Sequence, residues 1–186
     1  VEAGADAVGF VFADSVRRVD PTHAAAIANS VPDTIKKVAV MLHPSIEEWQ
    51  AVRTDFAPDV LQTDAEDFAA LEVPEEIEYW PVYREGSKTT GTKEVQFNRV
   101  SGTYLYEGAR SGQGETVDWS VAAKIARQGQ LILAGGLSVA NVAEAIQIVR
   151  PFGVDVSSAV ESAPGQKDPE LIRTFISAAK AAGNNV

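Results

Sequence analysis

Apolar residues along this chain gather in short, nearly continuous runs, and the stretches between most of them carry helical periodicity. The runs are Ala7–Phe12, Lys37–Met41, Val60–Gln62, Tyr79–Tyr83, Tyr104–Glu107, Leu131–Ala134 and Val154–Ser157. A strand buried on both faces reads as such a run rather than as an alternation, and strands that take turns with helices imply successive βα units around a parallel sheet. Helices are predicted over Pro21–Ser30, Ser45–Asp55, Asp64–Leu71, Asp118–Gln128, Ser138–Val149 and Asp168–Ala182. Pro21 suits a first turn capped by Asp20, Ser45 and Glu48 make a capping box, and Asp118 caps the helix it precedes. Leu171, Ile172, Phe175, Ile176 and Ala179 form one apolar stripe on the last helix. Arg84–Thr103 breaks the rhythm, because its Gly, Ser, Thr, Lys and Asn residues predict a long loop where a helix is due.

The opening residues, Val1–Asp6, read as a helix end stopped at Gly4 that runs straight into a strand, so a further strand is expected upstream. With it the strands number eight, which closes a parallel barrel and removes both sheet edges. The expected fold is α/β, a (β/α)8 TIM barrel whose first strand and most of whose first helix are missing from this chain, with a loop in place of the helix after the fifth strand. Residues 1–186 then form one N-terminally incomplete domain. An open flavodoxin-like sheet is the alternative, but it more usually has five or six strands and a phosphate loop after the first.

Composition narrows the class. A length of 186 residues with 45% hydrophobic content suits one well-cored domain. A net charge of -10 and a pI of about 4.6 disfavour nucleic acid or an anionic membrane as partners, so any anionic ligand has to be captured by local groups. No apolar run approaches the roughly 20 residues of a membrane helix and no signal-peptide pattern is present, which predicts a cytoplasmic protein. Zero cysteines exclude disulfides, thiolate metal sites and a cysteine nucleophile within these residues. His23 and His43 stand apart without clustered partners in the sequence, so no metal or other cofactor is expected.

Two segments point to a phosphate. Leu131–Ala134 ends in Gly135 and Gly136, and Val154 leads through Asp155 to Ser157, Ser158 and Ala159. A strand, a Gly or Ser turn and a helix start leave outward-pointing backbone N–H groups that bind an anion without a cationic side chain, and in parallel barrels such sites follow the seventh and eighth strands. Taken alone, each is better read as a tight turn or a helix cap. Their recurrence about 20 residues apart is what favours a phosphate.

Several motifs together resemble the phosphoribosylanthranilate isomerase family of tryptophan biosynthesis. Gly4–Phe12 followed by Ser15-Val-Arg17-Arg18 is similar to that family's second strand and Ser-Pro-Arg loop, with Val16 in place of proline. Val60–Gln62 resembles its fourth strand, which continues Leu-His-Gly where this chain has Thr63-Asp64-Ala65. Gly112–Trp119, Leu133–Leu137, Asn141-Val, Asp155–Ser158 and Val160–Asp168 complete the likeness. The resemblance implies an Amadori rearrangement of N-(5'-phosphoribosyl)anthranilate to 1-(2-carboxyphenylamino)-1-deoxyribulose 5-phosphate, which needs one acid and one base.

The family's acid falls on Glu107, a glutamate where the family has an aspartate and otherwise simply a polar strand end. Its carboxylate-binding arginine falls on Arg17, with Arg18 adjacent. Asp155 is implied in orienting the substrate, and Gly135, Gly136, Ser157, Ser158 and Ala159 in holding the phosphate. Ala159 replaces a glycine, so a positive φ there would be costly. The family's base is a cysteine on the first strand, in a Lys-x-Cys-Gly motif not present here, and this stretch alone is therefore expected to be inactive. The implied partner is a small phosphoribosyl substrate, and fusion to or association with a neighbouring tryptophan-pathway enzyme is a further arrangement open to such a chain. Two other readings stay open: another phosphosugar-binding barrel enzyme, and a barrel that binds a phosphorylated ligand without catalysis. The histidine-pathway sugar isomerases use an acid on the fifth strand, and Tyr79–Tyr83 has none.

Overall fold

The computed structural model describes residues 1–86, 102–109 and 116–183. They fall into two compact units, Val1–Pro81 and Val82–Val186.

The first unit runs β1 (Ala7–Val11), α1 (Pro21–Ala28), β2 (Lys36–Val40), α2 (Ile46–Asp55), β3 (Val60–Asp64) and into the start of β4 (Glu78–Arg84). β1 and β2 pair in parallel with Val8 opposite Lys37, and β2 and β3 with Val38 opposite Val60. Both helices start where the sequence says they should. The Asp20 carboxylate accepts the N–H groups of Thr22 and His23, while Ser45 and Glu48 cap each other's backbone. The core under these helices holds Phe10, Phe12, Trp49, Phe56 and Leu61, with the rings of Phe10 and Phe56 4.8 Å apart at a tilt. Trp49 buries its indole and still donates its N–H to the Glu72 carbonyl at 3.1 Å, so the large side chain leaves no polar group unpaired.

The second unit continues with β5 (Thr103–Glu107), α3 (Trp119–Ala126), β6 (Gln130–Leu133), α4 (Val142–Val149), β7 (Gly153–Val154), the hairpin β8 (Glu161–Ala163) and β9 (Gln166–Lys167), and α5 (Pro169–Gly183). Val82 of β4 pairs with Leu105, Leu105 with Ile132 and Leu133 with Val154, all in parallel. α4 packs against both α3 and α5. Leu131, Leu133, Val142, Ala145 and Val149 are buried, as is Tyr104, whose hydroxyl donates to the Ile125 carbonyl at 2.9 Å. In each unit the parallel strands are neighbours in chain order, with no reversal of the kind that defines a doubly wound sheet.

Three expected elements are corrected. Asp64–Leu71 is not a helix: β3 runs through Asp64 and only Asp67–Ala69 makes a single 3₁₀ turn, because the Asp67 carboxylate is drawn to Thr63 and to the His43 N–H. α4 starts at Val142 instead of Ser138, since Asn141 binds the Ser138 N–H and the Gly136 carbonyl and ties those residues into a turn. The eighth expected connection also differs, as strand pairing stops at Val154, Ser158–Val160 forms one 3₁₀ turn, and the β8–β9 hairpin follows. The opening residues form a turn at Gly4, whose N–H reaches the Val1 carbonyl. Most of the expected Arg84–Thr103 loop, and Gly112 and Gly114 of the glycine motif, lie outside the described residues.

Candidate active site at the strand ends

Every predicted site residue falls on the segment that leaves the C-terminal end of a strand, or on the strand's last residue. In the first unit the chain leaves β1 and folds back on it: the Val19 N–H donates to the Val11 carbonyl at 2.9 Å, and Ser15 accepts the Arg17 N–H on its hydroxyl at 3.2 Å and the Arg18 N–H on its carbonyl at 3.0 Å. This closed turn fixes the backbone of Arg17, which is half-buried, whereas Arg18 is exposed and Val16 is 73% exposed. An exposed position tolerates Val16 where the resemblance expects proline.

The same unit holds a cluster that the sequence does not announce. His43, in a left-handed conformation with φ 45° just after β2, donates its backbone N–H to Asp67 at 3.1 Å and sets its Nδ1 2.9 Å from the other Asp67 oxygen. Its Nε2 lies 3.7 Å from the carboxylate of buried Asp64, and Thr63 donates to Asp67 at 2.5 Å. The His43 pKa is raised, chiefly by the Asp67 hydrogen bond; loss of solvation opposes it, and the charges of Asp67, Asp64 and Glu66 each add a smaller upward push. The expectation that His43 lacks clustered partners is thus corrected: strand pairing brings residues about twenty apart in the chain into one ion-pair network. Ligand atoms of His43, Asp64 and Glu66 lie within 4.8 Å of one another.

In the second unit Glu107 ends β5 and pairs in register with Arg84, the last residue of β4. Their side chains form an ion pair, with the Glu107 side chain 18% exposed. The carboxyl that the resemblance marks as an acid therefore has a guanidinium beside it, and sequence reading missed Arg84 because only the strand register joins the two. Asp118 caps α3 by accepting the Ser120 and Val121 N–H groups, and the Ser120 hydroxyl, followed by these N–H groups, holds its carboxyl below the ordinary range.

The turns after β6 and β7 leave adjacent strands. Gly135 and Gly136 have φ of 84° and 62°, left-handed values that a side chain would strain, and Asn141 locks the turn by accepting the Ser138 N–H at 2.8 Å and donating to the Gly136 carbonyl at 2.9 Å. Asp155 donates its N–H to the Leu133 carbonyl, and its carboxyl, though reachable by solvent, is crowded by protein; that loss of solvation pushes its pKa up against the pull of the Lys167 charge and the Val156 N–H. Ala159 is absent from the non-glycine residues of positive φ, so the feared strain does not arise. Lys167 reaches Ser157 from β9, binding its carbonyl at 2.8 Å and its hydroxyl at 3.1 Å. Asn141 and Lys167 sit inside motifs noted in the sequence, but their bracing roles depend on turns that only the structure displays.

Residues 1–178 match the family model of N-(5'phosphoribosyl)anthranilate (PRA) isomerase. The chain belongs to the PRA isomerase family. It is 39% identical over 188 residues to the N-(5'-phosphoribosyl)anthranilate isomerase of Geotalea uraniireducens, covering 97% of this chain and 90% of that protein. Among solved structures it resembles a PRA isomerase in complex with reduced 1-(o-carboxyphenylamino)-1-deoxyribulose 5-phosphate, at 32% identity and a TM-score of 0.78 over 97% of this chain and 90% of that one. The enzyme from Pyrococcus furiosus matches at 28% identity with a TM-score of 0.79 over the same shares of the two chains. The fold class is accordingly the α/β TIM barrel of the PRA isomerases, and the reaction class is that of an isomerase of tryptophan biosynthesis. Among the described residues no helix is long and apolar enough to cross a membrane.

Proposed function

We propose that this PRA isomerase chain opens and rearranges N-(5'-phosphoribosyl)anthranilate to 1-(2-carboxyphenylamino)-1-deoxyribulose 5-phosphate with the residues its motifs single out. The family match across residues 1–178 carries the reading. In it, backbone N–H groups of Gly135, Gly136, Ser157, Ser158 and Ala159 hold the phosphate, as suits an acidic protein that has to bind an anion locally. Arg17 takes the anthranilate carboxylate through its planar fork. Asp155 orients the sugar. Glu107 is the acid that protonates the ribose ring oxygen as the ring opens, a role that requires its protonated form against the pull of the adjacent Arg84 guanidinium, and a base then removes the C2' proton.

The 186 residues contain no cysteine, so the cysteine base that the resemblance implies is not supplied by them, and this stretch alone is expected not to turn over. The reading treats residues 1–186 as one barrel domain of a cytoplasmic enzyme, needs no cofactor, and leaves room for fusion to or association with a neighbouring tryptophan-pathway enzyme. The test is conversion of N-(5'-phosphoribosyl)anthranilate by the whole natural protein, followed by chromatography of the ketose product. Product formation that falls on Glu107→Gln supports the proposal, whereas ligand binding without product would turn it into a phospholigand-binding barrel.

A further inference from the structure

From β9 Lys167 reaches the start of the Ser157–Ala159 turn with its side chain. An ammonium group has three N–H donors. All three have an acceptor here: the Ser157 carbonyl at 2.8 Å, the Ser157 hydroxyl at 3.1 Å and Glu161 Oε1 at 2.8 Å. Glu161 is itself held in place, for its side chain is only 4% exposed and its other oxygen accepts the Gly165 N–H at 3.2 Å across the hairpin turn. The hairpin is pinned in addition by Asp168, whose N–H donates to the Val160 carbonyl at 2.9 Å.

This arrangement has a directional result. A trans peptide is planar, so its N–H points opposite to the carbonyl of the preceding residue. Fixing the Ser157 carbonyl on Lys167 therefore fixes the direction of the Ser158 N–H, away from the ammonium. With every donor committed, Lys167 has none to offer a phosphate directly.

We infer that Lys167 is a positioning residue for the phosphate turn: from the β8–β9 hairpin, and oriented by Glu161, it aims the Ser158 N–H at a bound phosphate without touching it. The inference rests on the proposed phosphate role of the Ser157–Ala159 turn. It distinguishes two uses of one lysine, because a lysine that bound phosphate itself would be held back by Glu161, whereas a positioning lysine depends on Glu161.

The experiment titrates inorganic phosphate into the ¹⁵N-labelled protein and follows the Gly136 and Ser158 amide resonances, with Lys167→Met and Glu161→Gln alongside. Phosphate should shift both amides in the unmodified protein, and Lys167→Met should raise the phosphate Kd about tenfold and lose most of the Ser158 shift while Gly136 still responds. Glu161→Gln should weaken phosphate binding. If Glu161→Gln tightens it, Lys167 is a direct ligand and the inference is overturned; that arm also decides the matter should Lys167→Met fail to fold. Unchanged affinity and an unchanged Ser158 shift in Lys167→Met would overturn it as well. A phosphate that moves neither amide in the unmodified protein would instead overturn the reading of the turn on which the inference rests.

Discussion

The turns after β2 and β3 in the first unit and those after β6 and β7 in the second are restrained by different chemistry. In the second unit Asn141 and Lys167 reach backbone carbonyls of the turns after β6 and β7. In the first unit the turns after β2 and β3 are tied together by charge, through His43, Asp67 and Asp64. The segments that match the family motifs most fully are those restrained through backbone. Thr63-Asp64-Ala65, which stands where the family continues Leu-His-Gly, is built around an ion-pair network. A turn whose backbone is the ligand surface has little freedom to vary, whereas a turn that only has to be held tolerates any adequate clasp.

If the chemistry belongs to the second unit and carboxylate recognition to the first, their variants should fail differently. Glu107→Gln should cut turnover of the whole natural protein roughly a hundredfold or more while leaving KM nearly unchanged, the scale of lost acid–base assistance. A KM effect of that size with unchanged kcat would move Glu107 from chemistry to binding. Arg17→Ala should instead weaken productive binding by about 2 kcal/mol, roughly thirtyfold in KM, with an analogue that lacks the carboxylate losing far less. Equal losses for both ligands would shift the role to Arg18.

Two smaller effects bear on the clasps themselves. Asn141→Ala removes two side-chain bonds to the Gly136–Ser138 turn and should cost about 1.5 kcal/mol in urea denaturation, since each such bond contributes roughly 0.5 to 1 kcal/mol net. The smallest effect is pH-dependent. The His43 pKa is raised in the folded protein above an unfolded value of about 6.5, so its contribution to stability is complete below that pH and is lost as pH rises through the folded value. With the His43 side chain 57% exposed, solvent screening limits the loss to a few tenths of a kcal/mol. The urea midpoint should decline by that amount between pH 6 and 8.5, and His43→Gln should flatten that part of the profile. A slope that survives the substitution would assign the titration elsewhere.

Much of the fold was legible because its signals are local. Buried parallel strands announce themselves as apolar runs, and the caps at Asp20, Ser45 and Asp118 declare helix starts within four residues. The errors arose where a side chain overrode local preference: Asn141 delayed α4, and Asp67 diverted its segment from helix to a single turn. Glu107, Arg17 and the Gly and Ser turns stood out through motif spacing. Arg84, Lys167 and the His43 network did not, because each depends on which residues the strand register or a hairpin sets side by side.

The chain-order pairing of strands also bears on how the molecule assembles. Val8 meets Lys37, Val38 meets Val60, and Leu133 meets Val154, so each new parallel pairing closes a segment of roughly 20 to 30 residues, and closure entropy grows only slowly with such lengths. No strand within either unit has to wait for a partner from a remote part of the sequence. Sheet growth is then a series of steps of similar difficulty, each available as soon as the next crossover has formed, and the order in which a ribosome delivers the chain is an order in which it can fold.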